Sequence, residues 1–220
     1  MLLFAQAEPS AHWITFVYPY LPLVGTLVAA VFAAYLSYNY WRRQELAKQN
    51  HDLAYRAISA LIHCREEFWN ARCMLMDSDE VEVYRKEFNH EPIEYGSTDK
   101  FHRAAFSRVG YSGRLNKLVA KYNDLRMVFL EVEALYGPKY RECLLPIGKF
   151  IREYRSALEI TLHEETMKSL SREEAVRYRS KMSGSIDLES DTFGHQFEGH
   201  VEELIRKMRS HLIGGNKKNS

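Results

Sequence analysis

Charged residues are missing from one long stretch of this sequence. Between Pro9 and Trp41 there is no Asp, Glu, Lys or Arg. A helix on the surface of a water-soluble domain keeps one polar, charged face, so this absence excludes that environment for the segment. A helix of about 20 apolar residues crosses a bilayer core about 30 Å thick, because it satisfies its own backbone hydrogen bonds. We therefore predict a transmembrane helix over residues 13–41.

Cysteine is scarce, and the common catalytic motifs are absent. Cys64, Cys73 and Cys143 cannot all pair, and none belongs to a Cys-x-x-Cys motif, so no disulfide framework is expected. The sequence contains no GxGxxG, P-loop, GxSxG or calcium-loop pattern. With a formal net charge of only +1, it also lacks the basic excess of a nucleic-acid-binding protein. We therefore expect no nucleic-acid partner and no cofactor, and an enzyme is disfavoured.

Aromatic residues bracket the uncharged segment. Trp13 lies near its start, and Tyr38 and Trp41 lie at its other end. Tryptophan and tyrosine favour the boundary between headgroups and hydrocarbon, because their rings are apolar on one side and polar on the other. These residues are the predicted membrane interface, and the lipid bilayer is the predicted partner of the segment.

Basic residues predict the orientation of the span. Arg42 and Arg43 follow it directly, whereas the residues before it include no Lys or Arg. The positive-inside rule then places the C-terminal domain in the cytoplasm and residues 1–12 on the other side of a cell inner (plasma) membrane. A cleaved signal peptide ending near Ala7 is disfavoured, because the long apolar run lies after that point.

Small residues recur on one side of the predicted span. Gly25, Ala29 and Ala33 are four residues apart and would form a smooth helix face. Such a face lets two helix backbones approach closely, which favours a homo-oligomer. Small residues are also common in any transmembrane helix, so the monomer stays open as an alternative.

The sequence after the span predicts an all-α architecture. From Leu46 onward, apolar residues recur three, four or seven positions apart, which predicts a stalk helix over residues 42–76. The stalk could form a short coiled coil, or it could pack on the chain's own domain, which we favour past Leu61. Residues 77–213 are predicted to form a cytoplasmic helical domain, followed by a disordered tail over 214–220.

A helical hairpin is the clearest feature of that domain. Helical periodicity extends from Arg114 to Tyr136 and again from Tyr140 to about Lys168. Gly137-Pro138 separates the two stretches, and this pair ends a helix sharply. We predict two long antiparallel helices joined by a tight turn.

Glycines and capping residues predict the other boundaries. Gly110 and Gly113 predict a break or kink before the hairpin. Ser171 with Glu174 forms a capping-box pattern that starts a short helix. A last amphipathic helix is predicted from Phe193 to Leu212.

One group of residues on the last helix could bind a metal. Two overlapping His-x-x-Glu pairs bring together His195, Glu198, His200 and Glu203. Zinc-binding helices place two histidines four residues apart, on one face. Here the histidines are five apart and point to different faces, so a solvated helix surface is the favoured interpretation.

A second group of residues is basic. A cavity for an anionic small ligand could be formed by Arg103, Arg108, Arg114 and Lys117. Acidic residues accompany most basic residues of this chain, so a mixed, solvated helix face is the favoured alternative.

The hairpin turn is Leu135-Tyr136-Gly137. With the preceding anchor and the polar helix rich in Arg and Ala, the arrangement from Trp13 to about Glu165 resembles a loose group of bacterial single-pass membrane proteins of unassigned activity. In that group the turn is Leu-Tyr-Gly or Leu-Phe-Gly. The resemblance implies the same architecture and brings no catalytic residues.

Three functions are consistent with these features. The first is a membrane-anchored interaction or scaffold protein, which the lack of a catalytic constellation favours. The second is an oligomerising membrane effector that perturbs the bilayer on a signal, as in bacterial antiphage defence, which the small-residue face favours. The third is a helical-bundle metal enzyme, favoured only by the histidine and glutamate group.

Overall fold

The computed structural model describes residues 20–73, 75–87, 100–184 and 191–214, without side-chain detail for residues 21, 100–103, 164 and 211–214. Seven α-helices and no strand occur in these residues, which confirms the all-α prediction. The helices are α1 (Leu21–Arg72), α2 (Ser78–Glu87), α3 (Lys100–Tyr136), α4 (Lys139–Leu162), α5 (Glu164–Ser169), α6 (Arg172–Met182) and α7 (Thr192–Gly214).

The described residues form two compact units, one ending at Gln49 and one beginning at Asn50. In the second unit α4 packs against α3, α5, α6 and α7, and α2 packs against α3. The buried face of α4 follows helical periodicity and consists of Tyr140, Leu144, Ile147, Gly148, Ile151, Tyr154, Ala157 and Leu158. This unit is a helical bundle whose described residues form a large hydrophobic core and a smaller cluster of Val81, Tyr84 and Val109 between α2 and α3.

The C-terminal part of α1 belongs to that core. Leu53 is 2% exposed and Ala57 is fully buried, and the Phe68 ring stacks on Phe197 of α7 at 3.7 Å. The hydroxyl of Tyr154 in α4 donates to the Ala71 carbonyl at 2.6 Å. The predicted packing past Leu61 is therefore confirmed, and it begins earlier than predicted, at Leu53. The reason is that the apolar stripe already faces the bundle one turn after Asn50.

The stalk was also predicted to continue to residue 76, whereas α1 ends at Arg72. The chain turns away here because the carbonyls of Cys73 and Leu75 accept hydrogen bonds from the Arg114 guanidinium, at 2.6 and 2.7 Å. A side chain of α3 thus takes the place of the helical N–H donors that would continue α1.

The turn between α3 and α4 is confirmed. Gly137 has a φ of 93°, the left-handed conformation that glycine adopts without steric cost, and its N–H donates to the Glu133 carbonyl at 2.8 Å. The predicted end near Lys168 was wrong, since α4 ends at Leu162. The backbone of His163 is extended, and the Arg108 guanidinium donates a hydrogen bond to the Leu162 carbonyl at 3.5 Å.

A break or kink was predicted at Gly110 and Gly113, and no break occurs there, because α3 is helical throughout Lys100–Tyr136. These glycines make room for neighbouring side chains. The Tyr84 ring of α2 lies against Gly113, and the sulfur of Met76 lies against Gly110. A residue type that often interrupts helices is here a site of close packing.

Replacing Gly113 by Ala is expected to lower the free energy of unfolding by up to about 2 kcal/mol. The added methyl would overlap the Tyr84 ring, and overpacking of about 1–3 kcal/mol exceeds the gain of about 1 kcal/mol in helix propensity. Gly199 in α7 is the matched control, since a methyl there meets nothing within 4 Å. Gly199→Ala should stabilise by about 0.5–1 kcal/mol. Urea unfolding of the full chain in detergent measures both, and equal effects would contradict this account.

Two helix starts have well-defined caps. Ser171 begins α6 with the predicted capping box, in which its hydroxyl accepts from the Glu174 N–H and the Glu174 carboxylate accepts from the Ser171 N–H. At the start of α7, the Asp191 carboxylate accepts from the Gly194 N–H at 2.9 Å. The final helix therefore begins at Thr192, one residue before the prediction.

Candidate functional site

The first candidate site is the apolar segment of α1. By length and composition, the part of this helix that begins at Pro22 can span a membrane. Its large apolar side chains are exposed, from 52% for Leu36 to 68% for Leu27. The Thr26 hydroxyl donates to the carbonyl of Pro22 at 2.5 Å, so this polar group is satisfied within the helix. The segment presents an apolar surface on all sides, as a lipid-facing helix does.

The predicted interface residues lie at the end of this segment. Tyr38 and Trp41 are 57% and 60% exposed, with ring centroids 6.3 Å apart. Arg42 and Arg43 follow on the same helix and are exposed. Trp13 lies outside the described residues.

The small-residue face also lies within this helix. Gly25, Ala29 and Ala33 are exposed, and among the described residues no atom lies within 4 Å of a methyl placed on Gly25. At this face the helix backbone is accessible.

The structure does not bring the four metal candidates together. Glu198 accepts hydrogen bonds from Arg65 at 3.1 Å and from the Trp69 indole at 3.0 Å. Glu203 pairs with Lys207 at 2.7 Å. In the described part of the chain, no group of three or more His, Cys, Asp or Glu side chains could hold a metal ion.

The other two candidates occupy different surroundings. The ring centroids of His200 and Phe150 are 5.7 Å apart. The backbone N–H of His195 donates to the Asp191 carbonyl in the first turn of α7. His200 and Glu203 line one cleft between α4 and α7, whereas Glu198 contacts Arg65 and Trp69 of α1, so the four residues do not form one shared metal site.

Of the basic group, the side chains of Arg108, Arg114 and Lys117 are described, and each contacts another helix or the residues after α1. Arg114 is buried and donates to Glu80 at 2.7 Å, in addition to the two carbonyls after α1. Lys117 lies over the Tyr84 ring at 4.7 Å, and Arg108 faces the end of α4. The side chain of Arg103 is outside the described residues. The solvated-face interpretation was wrong for Arg114, because this side chain fixes α2 and the end of α1 to α3.

Glu80 makes stability depend on pH. Hydrogen bonds from Arg114, and less strongly from Tyr84, hold the pKa of its carboxyl below the usual value. Because the folded pKa is depressed, the interaction stabilises the fold above the unfolded pKa of about 4.3 and is lost as pH falls through the folded value. Glu80→Gln should therefore be less stable than the parent at neutral pH and about equally stable in acid. Urea unfolding at both pH values measures this, and a constant difference would contradict it.

Among the described residues, the most buried charged group is the Arg72 guanidinium. Its side chain is fully buried and forms a bidentate ion pair with the Asp191 carboxylate, at 2.6 and 2.8 Å. It also donates to the carbonyls of Lys181 and Ser180, at 3.0 and 2.9 Å. One side chain thus connects the end of α1 to the end of α6 and the cap of α7.

A cleft of about 520 Å³ lies between the N-terminal half of α4 and the C-terminal half of α7. Its lining mixes charged, polar and apolar side chains: Lys139, Tyr140, Glu142, Cys143, Pro146, His200, Glu203, Leu204 and Lys207. The Lys207 ammonium donates to the Cys143 sulfur at 3.3 Å. Its hydrogen bond to Glu203, and then that to Cys143, raise the pKa of Lys207. The cleft thus contains a sulfur atom, an ammonium and a carboxylate in contact.

Sequence reasoning missed both the Arg72 network and the cleft. Arg72 lies four residues after Phe68, on the buried stripe of α1, and that register is the signal that could have identified it. Cys143 and Lys207 are separated by 64 positions and belong to no motif. Their contact arises only when α4 packs against α7.

The described residues define an all-α protein with a helical bundle and one helix long and apolar enough to cross a membrane. Comparisons with protein-family models, curated proteins and solved structures found no match to the chain. Functional inference therefore depends on the geometry and chemistry of the chain itself.

Proposed function

We propose that this chain is a single-pass membrane-anchored interaction protein whose helical bundle lies in the cytoplasm. The observation behind the proposal is the exposed apolar surface of α1 from Pro22 to Leu36. Burying one large apolar side chain is worth about 1.5–3 kcal/mol, so leaving a full set in water is unfavourable. A lipid bilayer removes that cost and accepts a helix of this length.

The orientation follows from the basic residues beside the segment. Arg42 and Arg43 come directly after it, and Lys48 lies further along the same helix. Cationic residues favour the cytoplasmic side, where anionic headgroups add about 1 kcal/mol for each cation. This supports a cytoplasmic bundle and an N-terminal segment on the opposite side.

Alkaline carbonate extraction of membranes, combined with reporter fusions at both ends, tests anchor and orientation together. The protein should stay in the membrane pellet. A C-terminal green fluorescent reporter should be active, and a C-terminal alkaline phosphatase should be inactive because it remains in the cytoplasm. Release into the supernatant would contradict the anchor, and the opposite reporter pattern would contradict the orientation alone.

The bundle also has an apolar surface that supports binding to a second copy or another protein. Met127 and Leu130 of α3 are 64% and 54% exposed, and Ala134 continues the same side of the helix. Each lies three or four residues from the next, so together they form one stripe. An exposed apolar stripe of this kind is typical of interaction surfaces.

Thiol crosslinking in membranes distinguishes a second copy from a different partner. With Cys73 and Cys143 replaced by Ser, Leu130→Cys should give a crosslinked dimer if two copies meet at this stripe. Val176→Cys is the matched control, because Val176 of α6 is similarly exposed, at 59%. Equal crosslinking at both positions, or none at Leu130→Cys, would exclude self-association through α3.

An oligomerising membrane effector is the second candidate function. It is favoured by the exposed face of Gly25, Ala29 and Ala33, where two helices could pack backbone to backbone. Two copies would then associate within the bilayer, and a signal received by the bundle would alter the membrane.

Gly25→Leu and Ala29→Leu are expected to abolish self-association of the span, because a bulky side chain separates the backbones. Val28→Leu, on the same helix but off this face, should leave it unchanged. Membrane depolarisation on overexpression measures the effector activity, and helix association is measured by energy transfer between labelled copies. Depolarisation that persists in both bulky variants would rule out this candidate.

A further inference from the structure

The contact between Cys143 and Lys207 brings a sulfur nucleophile and an amine to within hydrogen-bond distance of each other. The two residues belong to different helices, α4 and α7, and their Sγ and Nζ atoms are 3.3 Å apart. Both line the cleft of about 520 Å³, and Cys143 is partly exposed there. A small reagent entering the cleft can therefore reach the sulfur without unfolding of the bundle.

The other two cysteines lack this combination. Cys64 is buried, and burial raises its pKa to about 12, so its thiol is neither accessible nor ionised near neutral pH. Cys73 is exposed, but its backbone carbonyl accepts from Arg114, whose guanidinium is not a useful nucleophile. Cys143 is the cysteine that has a lysine amine against its sulfur.

We propose that Cys143 is a modification site for hydroperoxides, at which the oxidised sulfur becomes covalently linked to the nitrogen of Lys207. The reagent class follows from the setting. A hydroperoxide is small enough for the cleft, and it oxidises a thiolate by two electrons to a sulfenic acid.

The first step oxidises the sulfur. The Cys143 thiolate attacks one oxygen of hydrogen peroxide, the O–O bond breaks, and the other oxygen leaves as water after taking up a proton. Sulfur is oxidised by two electrons and the peroxide is reduced. The product is Cys143 sulfenic acid beside the Lys207 amine.

The second step forms the crosslink without further oxidation. The Lys207 nitrogen attacks sulfur, an S–N bond forms, and the S–O bond breaks with loss of water. Condensation of a sulfenic acid with nitrogen has a precedent in sulfenamide formation with a backbone amide. The ammonium must first lose a proton, which water accepts, because the Lys207 side chain is 40% exposed.

The link would join α4 to α7 and change the cleft between them. It closes a loop across 64 sequence positions, which restricts the unfolded chain and so raises the melting temperature of the oxidised protein. It also removes the positive charge of Lys207 and ends its ion pair with Glu203. The inference does not depend on membrane attachment or on the orientation of the chain.

The test treats the full chain in detergent with hydrogen peroxide and analyses its non-reduced peptides by mass spectrometry. We expect a linked pair containing Cys143 and Lys207, two hydrogens lighter than the separate peptides, which dithiothreitol reverses. The melting temperature should rise on oxidation and return on reduction. Cys143→Ser and Lys207→Arg should each abolish the linked pair and the rise.

Two matched variants serve as controls. Cys73→Ser and Lys149→Arg, which alter an exposed cysteine and an exposed lysine outside the cleft, should leave the crosslink and the temperature shift unchanged. Oxidation of Cys143 that stops at sulfenic or sulfinic acid would overturn the proposal. So would linkage to a different amine, or a temperature rise that persists in Lys207→Arg.

Discussion

Replacing Arg72 by Met is expected to lower the free energy of unfolding by about 3–5 kcal/mol. The reason is the position of its partner. Asp191 is 3% exposed, so loss of the guanidinium leaves a carboxylate without its counter-ion inside the protein. The carbonyls of Ser180 and Lys181 lose their donor as well. For a bundle of ordinary stability, such a loss is a large fraction of the total.

Aromatic rings around the guanidinium add to this effect. The rings of Phe68, Trp69 and Phe193 lie 5.4, 5.6 and 5.2 Å from its central carbon. A methionine fills similar space but offers no positive charge to these ring faces. Arg72→Lys is the comparison variant, since it keeps the positive charge but cannot form the bidentate ion pair. We expect its loss of stability to lie between those of the parent and Arg72→Met.

Replacing both charged partners separates the cost of an unpaired charge from the value of the pair. Arg72→Met combined with Asp191→Leu should recover part of the stability lost in Arg72→Met alone, because no buried carboxylate remains. Recovery should be incomplete, since Asp191 also caps α7 through the Gly194 N–H. Urea unfolding followed by circular dichroism measures all variants in detergent. An Arg72→Met protein within about 1 kcal/mol of the parent would contradict this interpretation.

Introducing two arginines into the apolar segment is expected to remove the protein from the membrane. Leu27 and Val31 are one helical turn apart and are 68% and 65% exposed. Each arginine near the middle of a span costs about 2.5–3.5 kcal/mol on insertion, so Leu27→Arg with Val31→Arg costs about 5–7 kcal/mol. The double variant should appear in the carbonate supernatant or as aggregates, whereas the parent stays in the pellet.

The control for the arginine variant replaces a similarly exposed side chain of the bundle by arginine. Tyr55 lies on the same helix α1, within the second unit, and is 66% exposed. Tyr55→Arg should leave membrane association unchanged. If the Leu27→Arg/Val31→Arg protein still resisted extraction with unchanged orientation, the segment would not be the anchor, although the helical bundle would stand.

Helical periodicity was sufficient to predict most of the bundle. The buried face of α4 from Tyr140 to Leu158 follows the helical periodicity of the sequence, because one face of a buried helix repeats every three or four residues. The turn at Gly137 and the cap at Ser171 were predicted for equally local reasons. Both features depend on a few neighbouring residues: a glycine that can adopt a positive φ, and a serine whose side chain accepts a hydrogen bond in the first turn of its own helix.

The errors concern residues whose role depends on another helix. Gly113 was taken as a helix breaker, but a Tyr84 ring from α2 occupies the space beside it. Arg114 was taken as solvated surface and Arg72 was not singled out, but each is buried against carbonyls and a carboxylate from other elements. A glycine or an arginine is compatible with both interpretations until the neighbouring helices are placed.

Composition and hydrophobic periodicity were therefore sufficient to predict the all-α class, the apolar segment and the hairpin, since each of these reflects interactions within one helix or one turn. The buried ion pair of Arg72 and the contact of Cys143 with Lys207 needed the tertiary structure. Their partners are far apart in sequence, and only the packing of the hydrophobic faces decides which polar side chains meet. The apolar helix was the first feature of the sequence to stand out, but the bundle determines which charged groups are buried.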